Sequence, residues 1–313
     1  MSERPSISIV VLTYNRRECV EELLRDLAAL SSRVLEIIVV DNASSDGTDV
    51  LPSRFPAVTF LRNDSNLGAC GRNRGMQAAR GDIIVTLDDD VGSPQVADLD
   101  VIAQCFRERP RLSVLNFRVL DHLSGSVCNW VHPCPATHAQ ESFPTYEITE
   151  GAAAFRSAAL REVGYYWEPY FIGQEGVDLA FRLMDAGFEV RYDGRIAVRH
   201  RHEQTARASW RFYYYDTRNK IWLAMRRMRW VYGAQYLLIR VPAMAFYSLR
   251  DGFLKWWFKG VFDALKECPA VWRTRRPMLR QTESLVRSID RQRPRFWEQA
   301  RKRLFQPANR LDA

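Results

Sequence analysis

Lysine is absent from the first 199 residues of this 313-residue chain. The same stretch holds 20 Arg and 28 acidic residues, a net charge of −8, while the remainder holds 25 Lys and Arg against 9 acids, a net of +16. Cysteine is scarce: six residues, at 19, 70, 105, 128, 134 and 268, make no disulfide framework and predict a reducing compartment. No apolar run reaches the roughly 18 residues of a spanning helix. The opening MSERPSISIVVLTYN has no basic leader and no small-residue cleavage site, so a cytoplasmic location is expected rather than secretion. With 16 Gly, 14 Pro and 47% hydrophobic residues, a collagen-like or disordered chain is excluded.

What is present is alternation. ISIVVL (7–12), VLEIIVV (34–40), AVTFL (57–61) and DIIVTL (82–87) are apolar runs of strand length. Between them, residues 16–30 and 69–80 suit helices, the first with Val20, Leu23, Leu24, Leu27 and Leu30 on one face. A helix near 94–109 and a strand near 112–118 continue the pattern. Alternating β and α with continuous apolar strands predicts a mostly parallel sheet covered by helices on both faces. Residues 119–150 show no period and read as pocket-shaping loops. Helices at 157–162 and 176–187, then strands at 188–192 and 196–199, complete a first region of residues 1–204. Residues 205–313 form a basic, aromatic, helical second region, expected to pack on the first or on a membrane surface.

In an open parallel sheet, ligands bind beyond the carboxyl ends of the strands. Thr13, Tyr14, Asn15 and Arg16 follow the first run, Asp41 to Asp46 the second, and Asp88, Asp89 and Asp90 the fourth. Three adjacent carboxylates repel one another, and a divalent cation relieves that repulsion. NLGACGRNRG (66–75) could offer backbone N–H groups, Arg72 and Arg74 to a phosphate, although it is neither GxGxxG nor a P-loop. Glu175 and Asp178 stand near a helix start as carboxylates able to take a proton from a hydroxyl. His200 and His202 follow a strand. Cys128, His132, Cys134 and His138 are spaced like no common structural zinc site.

Taken in order, VVLTYNR (10–16), VVDNASSDGT (39–48), NLGACGRNRG (66–75), DDD (88–90), EGVDLAFRLMDAG (175–187) and VRH (198–200) resemble the inverting family 2 glycosyltransferases of the GT-A fold, of the rhamnosyltransferase-like, cell-surface polysaccharide type. The resemblance covers about residues 6–220. It implies a GT-A, Rossmann-like α/β fold with a C-terminal helical extension, a nucleotide-diphosphate sugar donor, and a glycan or lipid-linked acceptor. Carried over, Thr13, Tyr14, Asn15, Arg16, Asp41, Asn42, Asp46, Gly68, Arg72, Arg74, Asp88 and Asp89 would line the donor site. Asp90, with Asp88 and His200, would hold Mg²⁺ or Mn²⁺. The family usually shows Glu-Asp where this chain has Glu175-Gly176, and the Asp is commonly the base. Its absence leaves Glu175 or Asp178 to act.

The Arg- and Trp-rich tail suits an anionic membrane surface better than nucleic acid, which is not expected as a partner. Three rival readings remain. One is a haloacid-dehalogenase-type phosphatase, from the loose likeness of LDDDVG to its nucleophile loop, which belongs to a first strand. The others are a nucleotidyltransferase, which needs a Gly-rich loop after strand one, and a catalytically dead, membrane-binding homologue.

Overall fold

The computed structural model describes residues 4–201 and 210–293. The expected boundary at 204/205 and the candidate His202 lie outside the described residues. Strands β1 (Ile7–Thr13), β2 (Glu36–Asp41), β3 (Thr59–Arg62), β4 (Ile83–Asp88), β5 (Leu112–Asp121), β6 (Ser142–Pro144), β7 (Ala152–Arg156) and β8 (Glu189–His200) form one sheet, ordered β3-β2-β1-β4-β7-β5-β8-β6. The pairs among β1 to β4 are parallel, as are β5 and β8. Two strands run the other way: β7, between β4 and β5, and β6 at the edge.

Period-two burial explains the two-faced sheet. Ile9, Val11, Val39 and Val85 face one side, where α1 (Arg17–Ala28) covers them with Val20, Leu23, Leu24 and Leu27. The short helix α2 (Leu51–Arg54) adds Leu51 to that side. Val10, Ile38, Val40 and Ile84 face the other, against α3 (Asn73–Ala78). The helix α4 (Val96–Glu108) joins α1's side, while α5 (Ser157–Val163) and α6 (Glu175–Asp185) join α3's. Each fully buried Val, Leu or Ile contributes about 1.5–3 kcal/mol.

Three expectations are revised. The runs at 188–192 and 196–199 are one strand, β8, irregular in its pairing with β5 where Asp193 turns back to accept from Arg195 N at 3.1 Å. The segment 119–150 is not all loop, since β5 runs on to Asp121 and β6 lies within it. Residues 152–156, where no strand was expected, form β7, a strand that begins with three alanines and lies between β4 and β5.

Beyond the core sheet run α7 (Trp210–Arg227), α8 (Trp230–Arg250), α9 (Leu254–Lys266), α10 (Cys268–Arg273) and α11 (Arg280–Asp290). Ile221, Trp222, Leu223, Val286 and Ile289 of these helices share one buried cluster with Leu179, Phe181 and Leu183 of α6. Among the described residues, no helix is long and apolar enough to cross a membrane.

Candidate active site

The carboxyl ends of β1, β2 and β4 lie side by side, because Thr13 pairs with Asp41 and Leu12 with Asp88 across the parallel ladders. β7 is antiparallel, so its first residues reach the same rim: Asp88 N donates to Gly151 O at 3.2 Å. The backbone is unusual here. Asn15, Ala43, Phe171 and Gln174 all have positive φ, at 52°, 66°, 64° and 75°. Such conformations cost about 1–3 kcal/mol each and concentrate at functional sites.

The three aspartates separate into three roles. Asp88 turns to Arg72, with Nη2 to Oδ1 at 2.6 Å, and packs so tightly over Gly151 that a Cβ there would lie closer than 3.0 Å. Asp89 is buried and accepts from Thr13 Oγ1 at 2.8 Å and Arg16 Nη1 at 3.0 Å. Burial pushes its pKa up to about 6 against the pull of Arg16. Asp90 pairs with Arg16 on one oxygen and lies 3.3 Å from His200 Nε2 on the other. Backbone bonds clamp this turn to the end of β8: Arg201 N donates to Asp90 O at 2.8 Å, and Gly92 N to Arg199 O at 2.7 Å.

A carboxylate oxygen and an imidazole nitrogen facing each other at a cleft rim are a donor set that fits Mg²⁺ or Mn²⁺. Asp90 and His200 pass that test. Asp88, the other aspartate expected to hold the ion, gives its Oδ1 to Arg72. Among the described residues no three His, Cys, Asp or Glu side chains converge closely enough to hold an ion alone.

The β2 side of the rim is densely hydrogen-bonded. Asp41, 5% exposed, accepts from Ser44 N at 2.9 Å and pairs with Arg62. Asn42 is a hub: its amide donates to Asn66 Oδ1 at 2.9 Å and Gly68 O at 3.0 Å, and its oxygen accepts from Asn63 and Leu67 at 3.0 Å. Gly71 must be glycine because Asn42 fills the space a Cβ would take. Asp46 accepts from Arg17 N at 2.7 Å and Thr48 Oγ1 at 2.6 Å, bonds that draw its pKa down although burial opposes them. Asn42 and Asp46 thus shape the rim. Tyr14 is exposed at 42%. Arg72 is turned inward, onto Ala69 O at 3.2 Å, Glu150 O and Asp88, and Arg74 bonds Arg62 O. As placed, Arg72 bridges Asp88 and two backbone carbonyls, and Arg74 is bonded to the backbone of β3.

The opposite wall is the start of α6. Glu175, 2% exposed, stands there with its carboxyl beside the Arg72 cluster. Burial raises its pKa to about 7, against the pull of backbone N–H groups and Arg72. Asp178 is one turn on, fully buried, and held by Arg182 Nε at 2.9 Å and Arg226 Nε at 3.2 Å. Both its oxygens are occupied by guanidinium groups, so it locks α6 to α7. Of the two carboxylates the sequence offered, Glu175 is the one beside the rim.

Sequence reasoning missed Glu150. It stands just before β7, and its carbonyl accepts from Thr86 Oγ1 at 2.5 Å and from Arg72. No periodicity marks it, and the signal available was Gly176, a position lacking the side chain expected there. The Cys128–His138 group is no metal cluster: His132 sits among Trp130, Phe143 and Tyr192, and His138 bonds Glu141 at 2.9 Å.

Residues 8–124 match the family described as Glycosyl transferase family 2. An uncharacterized glycosyltransferase of Haemophilus influenzae is 40% identical over 85 residues, 27% of this chain and 29% of that one. The poly-beta-1,6-N-acetyl-D-glucosamine synthase of Staphylococcus aureus is 22% identical over 252 residues, 77% of this chain and 57% of that one. The chain therefore spans less than two thirds of either relative. Among solved structures, a mannosyltransferase of Pyrobaculum calidifontis in complex with GDP-Man and Mn²⁺ superposes with a TM-score of 0.54 at 17% identity, covering 98% of this chain and 82% of that one. Residues 8–124 thus match Glycosyl transferase family 2, in a chain with a GT-A fold and a helical C-terminal region.

Proposed function

We propose that this protein is an inverting glycosyltransferase that moves a sugar from a nucleoside diphosphate to an acceptor hydroxyl, in cell-surface glycan or glycolipid assembly. The observation that carries the reading is the convergence of Asp41, the Asp88–Asp90 turn, His200 and Glu175 on one sheet rim inside a family 2 domain.

Thr13, Asn15, Asp41 and the rim around Asn42 receive the nucleoside, with Tyr14 free to cover it. Asp90 and His200 would hold Mg²⁺ or Mn²⁺, which when bound neutralises charge on the leaving diphosphate. Arg16, already paired with Asp89 and Asp90, supplies positive charge beside the same place. The acceptor O–H gives its proton to a carboxylate beside the start of α6. The oxygen's electron pair then bonds the anomeric carbon, and the pair of the breaking C–O bond leaves with the diphosphate. Glu175 fits a part in receiving that proton, directly or through a neighbouring carboxylate, because burial holds its pKa near neutrality, where a base works best. The phosphatase reading loses ground because the aspartates follow β4, not the first strand.

The acceptor would be a glycan or a lipid-linked saccharide, reached from the cytoplasmic face of the membrane, and nucleic acid has no part in the reading. The test is a thermal-shift and turnover panel of uridine, guanosine and thymidine diphosphate sugars with Mn²⁺ and with chelator. Stabilisation by at least one donor, dependent on Mn²⁺, with release of its nucleoside diphosphate is expected. No response to any donor would defeat the reading.

A further inference from the structure

Gly176, the second residue of α6, has no room for a side chain. A Cβ built there would lie closer than 3.0 Å to Glu150 Oε1 and 3.2 Å from Glu150 Cδ. The carboxylate of Glu150 therefore occupies the space beside the α6 N-terminus that any other residue at 176 would fill. From there it faces Glu175, its strongest charged neighbour.

This arrangement is hard to explain by stability. Glu150, Glu175 and Asp88 share a single buried guanidinium, that of Arg72, whose exposure is 2%. Two carboxyl groups held this close disfavour double ionisation, and burial adds to the penalty: both groups are raised above the ordinary range, chiefly by burial. Yet the backbone of Glu150 is tightly fixed, since Arg72 and Thr86 both donate to its carbonyl. The chain thus aims a costly carboxylate with care. The two acids also differ in access. Glu175 is nearly sealed from solvent, and Glu150 keeps part of its surface open. Of the two, Glu150 is the less buried.

Resting on the transferase reading above, we propose that Glu150 is a catalytic residue of this site: it touches the acceptor hydroxyl and takes its proton, with Glu175 behind it as the inner half of one carboxylate pair. The proton passes from the acceptor oxygen to a Glu150 carboxyl oxygen as that acceptor oxygen bonds the anomeric carbon and the diphosphate departs with the electrons of the broken bond. Gly176 is glycine because the functional carboxylate comes from the segment before β7.

The test compares wild type with Glu150→Ala, Glu150→Gln and Gly176→Ala. The readouts are nucleoside diphosphate release from the best donor with water as acceptor, Mn²⁺-dependent donor binding by thermal shift, and unfolding temperature. A positioned base typically contributes about 10²–10⁴-fold. Both Glu150 variants should lose at least 10²-fold in kcat while binding donor normally, and Glu150→Gln should unfold no earlier than wild type. Added formate should restore part of the activity of Glu150→Ala and none to Glu150→Gln, whose amide fills the space. Gly176→Ala should lose turnover by displacing the Glu150 carboxylate. Near-normal turnover in Glu150→Gln overturns the proposal and leaves the transferase reading standing. So does loss of donor binding and early unfolding without formate rescue, which marks a structural role. A wild-type protein that turns over no donor overturns both.

Discussion

Two carboxylates one turn apart on α6 show how environment divides labour among identical chemistry. Asp178 meets two guanidinium groups in a buried network. Removing one member of such a network strands buried charge and costs about 3–5 kcal/mol. Asp178→Ala should therefore lower the unfolding temperature by many degrees. Glu175→Gln, which removes a burial-penalised charge, should unfold near or above the wild-type temperature while losing transfer. Differential scanning calorimetry of the pair checks both, and an Asp178 variant of normal stability but no turnover would reverse the assignment. The pH dependence follows. With its pKa raised to about 7, Glu175 is protonated below that value and accepts a proton above it. The groups facing it are Glu150, Arg72, Asp88, Tyr166 and Cys70, all but Arg72 neutral or acidic. Transfer should thus climb as pH rises through about 7, with the midpoint belonging to the Glu150–Glu175 pair. Asp90→Ala should abolish both transfer and Mn²⁺-dependent stabilisation by donor, read by thermal shift, in a protein that still folds. At this scale the sequence displayed the acids at strand ends plainly, since strand ends follow from apolar runs. It did not display orientation. That Asp88 turns to Arg72, or that Glu150 stands above Gly176, depends on side chains brought together from 16 and 26 positions apart by the tertiary fold.

At the scale of elements, the loop before α6 is held in an unusual way. Phe171, Gly173 and Gln174 all take positive φ, at 64°, 85° and 75°. What holds them lies in α7: Asn219 Nδ2 donates to the carbonyls of Tyr170, Ile172 and Gly173 at 2.9, 2.8 and 2.7 Å. Arg218 donates to Pro169 O and Tyr170 O at 2.9 and 3.0 Å, and its guanidinium covers the Trp222 ring at 4.1 Å. The C-terminal region thus fixes the turn that presents Glu175. Asn219→Ala removes its bonds to all three carbonyls, of which Tyr170 O keeps Arg218. It should lower kcat by about 10-fold or more through a misplaced carboxylate, as small displacements of catalytic groups do. Donor binding on the far wall of the crevice should stay within about twofold. Steady-state kinetics beside donor titration separate the two effects, and equal loss of both would mean that the whole site is disturbed. The strands and long helices were legible because each carries one clean period. β7 was not, since four small residues at 151–154 carry no strand signature, and its place depends on filling a gap between β4 and β5.

For the whole molecule, the charge split seen in the sequence is partly an internal fit. Arg226 and Arg227 meet Asp178 and Asp185, and Arg293 meets Glu147, so basic tail residues neutralise acids of the first region. The rest of the tail looks outward. On α8, Val231, Leu238, Phe246 and Leu249 recur along one exposed face, with Ile239 beside them, and Phe258, Phe262 and Leu265 are exposed on α9. Exposed Lys255, Lys259 and Lys266 stand on the same α9 helix. Such apolar faces on helices that are not long and apolar enough to span fit lying in an anionic interface, each nearby Lys or Arg adding about 1 kcal/mol. The pairs that bind tail to core are buried and resist salt, whereas attraction to lipid headgroups is screened over about 10 Å at 0.1 M. Vesicles with anionic lipid should therefore float the protein at low salt, and raised salt should weaken flotation without unfolding it. Leu238→Asp with Phe262→Asp changes the exposed face alone, so it should abolish flotation and leave turnover of a soluble acceptor unchanged. Equal flotation of that variant and wild type, or none by either, would refute a membrane role for α8 and α9.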